Sequence, residues 1–425
     1  MVTLKVIGLI RYQALKLFLK GVPHTLNRWP HLSRNAMNLV PASLVSKRWD
    51  QTLSDLEYGV LHFVAPNGDV RTHTGRRPGP EAHFAIYEWE VLRRAAVGGD
   101  IALGEDYIDG AWDTDDLQAL FALFLLNIEQ LDGYAHGSLI NRLGFVLQNS
   151  LLRRNSVRGS SRNIRAHYDV GNDFYRLWLD DTMTYSSALY ATAQLSLEEA
   201  QRRKYGRILS LFNKPRASVL EIGCGWGGFA EQAVAASHDV TALTISPSQH
   251  RFASKRLGKA ADIRLEDYRK SRGLYDMIVS IEMFEAVGEH YWPRFFETVS
   301  QRLRRGGRAI IQTITIRDEL FEGYRTRSDF IRHHVFPGGM LPSFRRFREE
   351  AEHAGLKALS VFSFGQDYAE TLRQWTARLE VRQADVKALG YGEAFLRNWK
   401  FYFGICAASF AVERTNVVQI ELAHG

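Results

Sequence analysis

The sequence predicts an α/β fold: a domain with a mostly parallel sheet, preceded by a smaller α+β domain. Three observations predict it. Strand and helix patterns alternate repeatedly in the second half of the chain. A short apolar strand, 218–222, runs into clustered glycines and then into a helical pattern. In the first half the order differs: a hairpin, one more strand, then helices.

Residues 1–49 carry eight basic side chains (Lys5, Arg11, Lys16, Lys20, Arg28, Arg34, Lys47, Arg48), and the first acid is Asp50. The opening stretch mixes apolar residues with a cation every few positions. A signal peptide needs an unbroken apolar segment, which Lys5, Arg11 and Lys16 interrupt. A basic amphipathic helix on an anionic membrane surface fits better, with an ordinary solvated helix as the plainer alternative. Residues 58–64 and 70–74 read as a hairpin around Pro66-Asn67-Gly68-Asp69, and 81–88 as a third strand. Residues 117–131 form an apolar helix, with Asp113 to Asp116 supplying cap and dipole-matched charge. Residues 1–152 are thus a small α+β accessory domain whose role is not legible alone. Arg153, Arg154, Arg158, Arg162 and Arg165, interleaved with Ser, Gly and Asn, mark a linker at 153–165.

The segment 166–425 is the second domain. Strands are expected at 218–222, 239–245, 275–281 and 308–316, the last after the turn Arg305-Gly306-Gly307. Pro247 opens a helix that runs to about Leu257.

Composition narrows the class. The chain has 425 residues, with 54 basic and 47 acidic side chains, hence 54 − 47 = +7. At 45% hydrophobic and 24% charged it is not a disordered chain. Two cysteines exclude a disulfide framework and fit a reducing compartment. No apolar run is long enough to span a bilayer. No nucleic-acid motif accompanies the basic segments, so no nucleic acid is expected as partner. His333, His334 and Glu285 do not converge as metal ligands, and no metal is expected.

The strongest local signal is Val219-Leu220-Glu221-Ile222-Gly223-Cys224-Gly225-Trp226-Gly227-Gly228. Glycines there permit a tight turn and close approach of backbone to a ligand. Gly223, Gly225 and Gly228 satisfy the dinucleotide spacing, but that reading expects an acid at the end of the next strand, which ends Thr244-Ile245-Ser246. Glu221, Gly223, Gly225 and Gly227 instead look like the first motif of class I methyltransferases, which bind S-adenosylmethionine. Asp267 follows the third strand, where such enzymes hold the adenine amine.

Several ordered segments then resemble the cyclopropane-fatty-acyl-phospholipid synthases and mycolic acid methyltransferases: 166–190, 219–230, 244–249, 283–288, 329–343, 364–375 and 401–410. The resemblance implies a class I methyltransferase fold, S-adenosylmethionine as cofactor, and an unsaturated acyl chain of a membrane phospholipid as substrate. It places the cofactor against Tyr185, Ser186, Glu221, Gly223, Cys224 and Gly225. Trp226, Gly227, Thr244, Gln249, Asp267 and Tyr268 complete that set. A cytoplasmic enzyme, peripheral on the inner face of the membrane and able to form a homodimer, is the expected setting.

An alkene attacks a sulfonium methyl without a general base, and needs alignment and dryness. The cation that results can rest against aromatic faces. Tyr168, Phe174, Tyr175, Trp178, Tyr185 and Tyr190 supply rings, most of them expected to be core. Ring closure then needs a proton acceptor, in this family a bound bicarbonate. By resemblance Glu285 orients that ion, Tyr368 supplies a hydroxyl and Ile314 a backbone contact. Ser187 stands where the family has cysteine, and Gln312 where it has histidine. Both keep hydrogen-bonding capacity but neither titrates as its counterpart does. That leaves a methyl-branched or methylene product as the alternative to a cyclopropane. Cys406 matches a cysteine once assigned to catalysis; its small apolar neighbours argue for an inert thiol. The rival class, a silent lipid-binding protein, is disfavoured by the intact glycine loop and Glu285.

Overall fold

A computed structural model of the protein describes residues 41–131, 170–192, 195–212 and 214–425. The chain divides into two compact units, Met1–Ser46 and Lys47–Gly425. Most of the basic N-terminal segment, Tyr168 and the arginine linker lie outside the described residues. Among the described residues no helix is long and apolar enough to cross a membrane.

Within Lys47–Gly425, a four-stranded sheet is ordered β2-β1-β3-β4, from Tyr58–Val64 (β1), Val70–Thr74 (β2), Arg77–Ile86 (β3) and Trp112–Asp113 (β4). The hairpin is as expected, with Asn67 Oδ1 accepting from Asp69 N at 3.2 Å in its turn. The third strand begins four residues before the expected 81 and lies parallel to β1. Pro78-Gly79-Pro80 disguises its start as a turn. Gly79 is needed there, because a Cβ would come within 2.8 Å of Gly59 N.

Helices α1 (Ala42–Ser54, from Lys47 onward), α2 (Glu90–Ile108) and α3 (Leu117–Leu126) belong to this part of the chain. Asp116 caps α3 by accepting from Ala119 N at 2.9 Å. The helix stops five residues short of the expected 131. Asn127 ends it, accepting from Glu57 N and Tyr58 N and donating to Tyr58 O and Leu123 O. One buried amide thus fastens the end of α3 to the start of β1.

The larger sheet has the order β10-β11-β9-β8-β5-β6-β7. Its parallel part comprises β5 (Ser218–Ile222), β6 (Asp239–Thr244), β7 (Asp262–Leu265), β8 (Tyr275–Ile281) and β9 (Leu303–Ile316). Strands β10 (Leu356–Ser363) and β11 (Thr415–His424) add an antiparallel edge. Helices α4 (Leu197–Ser210), α5 (Gly228–Ala235), α6 (Pro247–Leu257), α7 (Trp292–Arg302), α8 (Asp318–Thr326), α9 (Phe344–His353), α10 (Gly365–Val381) and α11 (Glu393–Ala411) are the longer helices of this part of the chain. Leu220, Ile222 and Ile278 pack into one core with Trp292, Phe295 and Phe296; Val219, Met277 and Val279 pack into the other with Ile208 and Phe229. Burial on both faces explains why β5 and β8 read as mostly apolar runs with little alternation.

The first strand of this sheet in the chain, β5, sits centrally, with β6 on one side and β8 on the other. Strand order reverses there, and ligands bind beyond the carboxyl ends of strands at such a point. Helix α11 joins this layer to the smaller one. Phe401 meets Phe121 at 4.9 Å, and Arg397 donates to Tyr107 O and Trp112 O. Gly404 is a close approach: a Cβ would lie 2.6 Å from Leu117 Cβ.

Candidate active site

One cavity of about 760 Å³ opens at the carboxyl ends of β5 and β8. Of the twelve residues assigned to the cofactor, eleven line it. Gly227 is the exception and corrects the expectation: it takes φ +87° as the N-cap of α5, and a Cβ there would press on Ala253 at 3.2 Å. Its role is packing of the loop on α6. Gly225 is different. It has φ +53°, and a Cβ would project into open space. Gly225→Val is therefore expected to strain the backbone and fill the cavity, abolishing cofactor binding in calorimetry.

Two features of this end fit S-adenosylmethionine. Glu221 is 3% exposed, and its Oε2 has no hydrogen-bond partner. A cationic ligand supplies what that oxygen lacks. Burial pushes the Glu221 carboxyl up to about 8, against the pull of Lys204. Below that pH the group is neutral; above it the anion favours a cation. Cofactor affinity should therefore tighten as pH rises towards about 8, by at most about tenfold per unit, and level off above it. Calorimetric titration across pH 6.5–9 checks this, and Glu221→Gln should flatten the profile. Thr244 Oγ1 donates to Gln249 Oε1 at 2.8 Å, leaving the Gln249 amide hydrogens for a ligand hydroxyl. Asp267 is less free than expected: Arg269 holds both its oxygens, at 2.8 and 2.6 Å.

Next to the loop stands a cluster of carboxylates. Glu285 Oε1 accepts from Ile314 N and from Thr313 Oγ1, while Oε2 is buried without a partner. Burial, and then the charge of Glu282, push Glu285 up to about 8. Glu282, which sequence reasoning passed over, accepts from Ser187 N at 2.9 Å, Gln312 Nε2 at 2.7 Å and Tyr368 OH at 2.7 Å. Desolvation raises its pKa, opposed by Lys204 and by these hydrogen bonds. Ser187 and Gln312 stand behind Glu282, off the cavity surface. The Ser187 hydroxyl does not face the site; it donates to Ala188 O. Gln312 is fixed in orientation, its carbonyl accepting from Gln419 Nε2, whose own carbonyl accepts from Arg207. Lys204 is fully buried, donates to Ser186 Oγ at 2.6 Å, and is pulled down to about 7 by desolvation.

The cavity continues into an apolar end. Leu92, Phe121, Phe124, Leu125 and Ile128 form one wall, and Ile331, Phe336 and Leu341 line it as well. The smaller layer thus supplies much of the surface a hydrocarbon chain would touch. Of the aromatic group, Phe174, Tyr175 and Trp178 are 0% exposed, pack on one another and stay off the cavity. Tyr185 reaches it, with its hydroxyl 3.1 Å from that of Tyr402. Tyr190 lines a separate cavity. Cys406 lines the apolar end, and burial pushes its thiol well above the ordinary range, so no thiolate is available.

Similarity to known proteins agrees with this geometry. The family described as mycolic acid cyclopropane synthetase matches residues 155–420. The tuberculostearic acid methyltransferase UfaA1 of Mycobacterium tuberculosis is 32% identical, over 92% of this chain and 94% of that protein. The cyclopropane-fatty-acyl-phospholipid synthase of Escherichia coli K12 is also 32% identical, over 81% and 88%. Among solved structures, the mycolic acid cyclopropane synthase CmaA1 complexed with SAH and CTAB aligns with a TM-score of 0.58 and 30% identity, covering 62% of this chain and 97% of that one. Glycine loop, switch-point cavity and carboxylate cluster therefore lie in a fold shared over most of the chain, which belongs to the mycolic acid cyclopropane synthetase family within the class I S-adenosylmethionine-dependent methyltransferases.

Proposed function

We propose that the enzyme transfers the methyl of S-adenosylmethionine to the cis double bond of an unsaturated phospholipid acyl chain, and that proton loss then closes a cyclopropane ring. The observation that carries this reading is the single cavity, with the glycine loop at one end, Glu282, Glu285 and Tyr368 at the middle, and an apolar wall beyond. Bound there, the cofactor supplies an electrophilic methyl. The chain's own residues align the alkene, exclude water and receive a proton. Tyr185, Tyr402 and Phe410 line the cavity, and aromatic rings can stabilise a carbocation formed there. The basic segment 1–49 supports contact with an anionic lipid surface.

A second reading, an open-chain methyl-branched or methylene product, is favoured by the neutral pair Ser187 and Gln312 and by the long match to UfaA1. Cyclopropane and methylene products share a mass, so mass spectrometry of lipids from cells making the protein must be joined to NMR. Ring-proton signals are expected. Vinylidene or branch-methyl signals in their place would establish the second reading, and unmodified lipids would overturn both.

A further inference from the structure

Of the five groups that resemblance assigns to a bicarbonate ion, three already hold a carboxylate of the chain. Ser187 N, Gln312 Nε2 and Tyr368 OH all donate to Glu282. The remaining two, Ile314 N and Glu285, are bonded to each other. A free bicarbonate would find these donors engaged, and would stand beside two carboxyl groups.

Glu282 is also placed by unusual means. It follows the last residue of β8, and its backbone adopts φ +50°, a left-handed conformation that a side-chain-bearing residue rarely takes. Its N–H donates to Gln312 O at 2.8 Å, so the same glutamine holds both its backbone and its carboxylate. The carboxylate lines the cavity with Glu221, Gly223 and Tyr368.

We propose that Glu282 is the proton acceptor of the reaction, standing where a bound bicarbonate would stand, and that turnover needs no bicarbonate. This rests on the reading that the methyl goes to an alkene carbon. The S–CH3 bond breaks as the alkene pair forms the new C–CH3 bond, leaving a cation on the neighbouring carbon and releasing S-adenosylhomocysteine. A C–H bond of that methyl then breaks. Its electron pair closes the ring onto the cation, and its proton goes to a Glu282 oxygen. An intramolecular base carries no binding cost, and three donors already hold this one in place. The neutral Gln312 suits it, since an amide donor persists at every pH.

Three arms test this. First, wild-type turnover on vesicles of dioleoyl phosphatidylglycerol is measured in carbon-dioxide-free buffer with and without added bicarbonate. Equal rates are expected, and loss on depletion overturns the proposal. Second, binding of 13C-bicarbonate is followed by NMR. The wild type should show none, while Glu282→Gly, which suits the φ and empties the cradle, should bind it. Bicarbonate bound by the wild type overturns the proposal without any turnover measurement. Third, Glu282→Gln should lose about 100-fold or more in turnover while binding cofactor normally, and Glu282→Gly should be partly rescued by bicarbonate or formate. Wild-type rates in Glu282→Gln overturn the proposal. If no unsaturated lipid is methylated by the wild type, the proposed function fails, and the binding arm still decides the role of the Glu282 cradle.

Discussion

Arg332→Met is expected to cost about 2–4 kcal/mol of folding stability. Arg332 is 3% exposed. Its guanidinium donates to Asp329 Oδ2, to Tyr324 O at 2.8 Å and to Arg327 O, and lies 3.8 Å from the Tyr324 ring centroid. Methionine fills the space but leaves Asp329 without this cation. It also leaves the two carbonyl oxygens without these donors, and such buried losses are what large destabilisations are made of. Asp100 nearby is pushed up to about 7 by burial and by the Asp329 charge, so repulsion inside the pocket would grow. Denaturant unfolding of the purified protein measures the effect. Arg332→Met combined with Asp329→Leu should recover part of the loss, because removing both charges is less costly than stranding one. A single-variant loss under about 1 kcal/mol would refute the account. Arg332 and Asp329 themselves line the cavity beside Ile331, Phe336 and Leu341, so lipid turnover should fall more than cofactor binding.

Legibility from sequence followed how local the determinants are. Strands 218–222 and 275–281 were found to the residue, because burial on both faces makes mostly apolar runs between clear boundaries, even with Glu221, Asp276 and Ser280 inside them. Strand β10 escaped notice. LKALSVFS is largely exposed, mixes polar with apolar residues, and takes its place only by pairing with β11, some sixty residues away. The acyl wall was invisible for the same reason: Phe121 and Leu125 read as an apolar helix, and only α11 brings that helix to the cavity.

The site shows the same division. The glycine loop is local and was read directly. The choice between Glu282 and Glu285 was not local. Both lie in one short segment, and which one meets the donors depends on Ser187, Gln312 and Tyr368, brought from three distant stretches. Sequence pattern did hold one unused signal. Lys204 falls on the stripe Leu197, Ala200, Gln201 and Ile208, which is buried in α4. A lysine on a buried helical face is costly unless paired, and so points to buried carboxylates nearby.

That lysine carries the second large effect. Lys204→Met should lower turnover at pH 7 about tenfold or more and move the acid limb of the rate profile to higher pH. The reason is electrostatic. Lys204 is the largest influence holding the Glu282 pKa down against desolvation, and it acts on Glu221 in the same direction. Remove it and both carboxyls stay protonated to higher pH. A protonated Glu282 cannot accept the methyl proton, and a protonated Glu221 does not favour a cationic ligand. Each unit of upward shift is a tenfold loss of the ionised form at fixed pH below the pKa. The wild-type lysine, pulled down to about 7, sheds its own proton as pH rises, so its help is greatest on the acid side. Raising the pH should therefore restore much of the activity of Lys204→Met, along with its cofactor affinity. A merely structural lysine would predict a different result: lower stability and lower rates at every pH, with the acid limb unmoved. Lys204→Met placed on Glu282→Gln gives the sharper check. With no carboxylate left at 282 to titrate, the lysine should have no further effect on the rate limb, while the shift in cofactor affinity through Glu221 should persist.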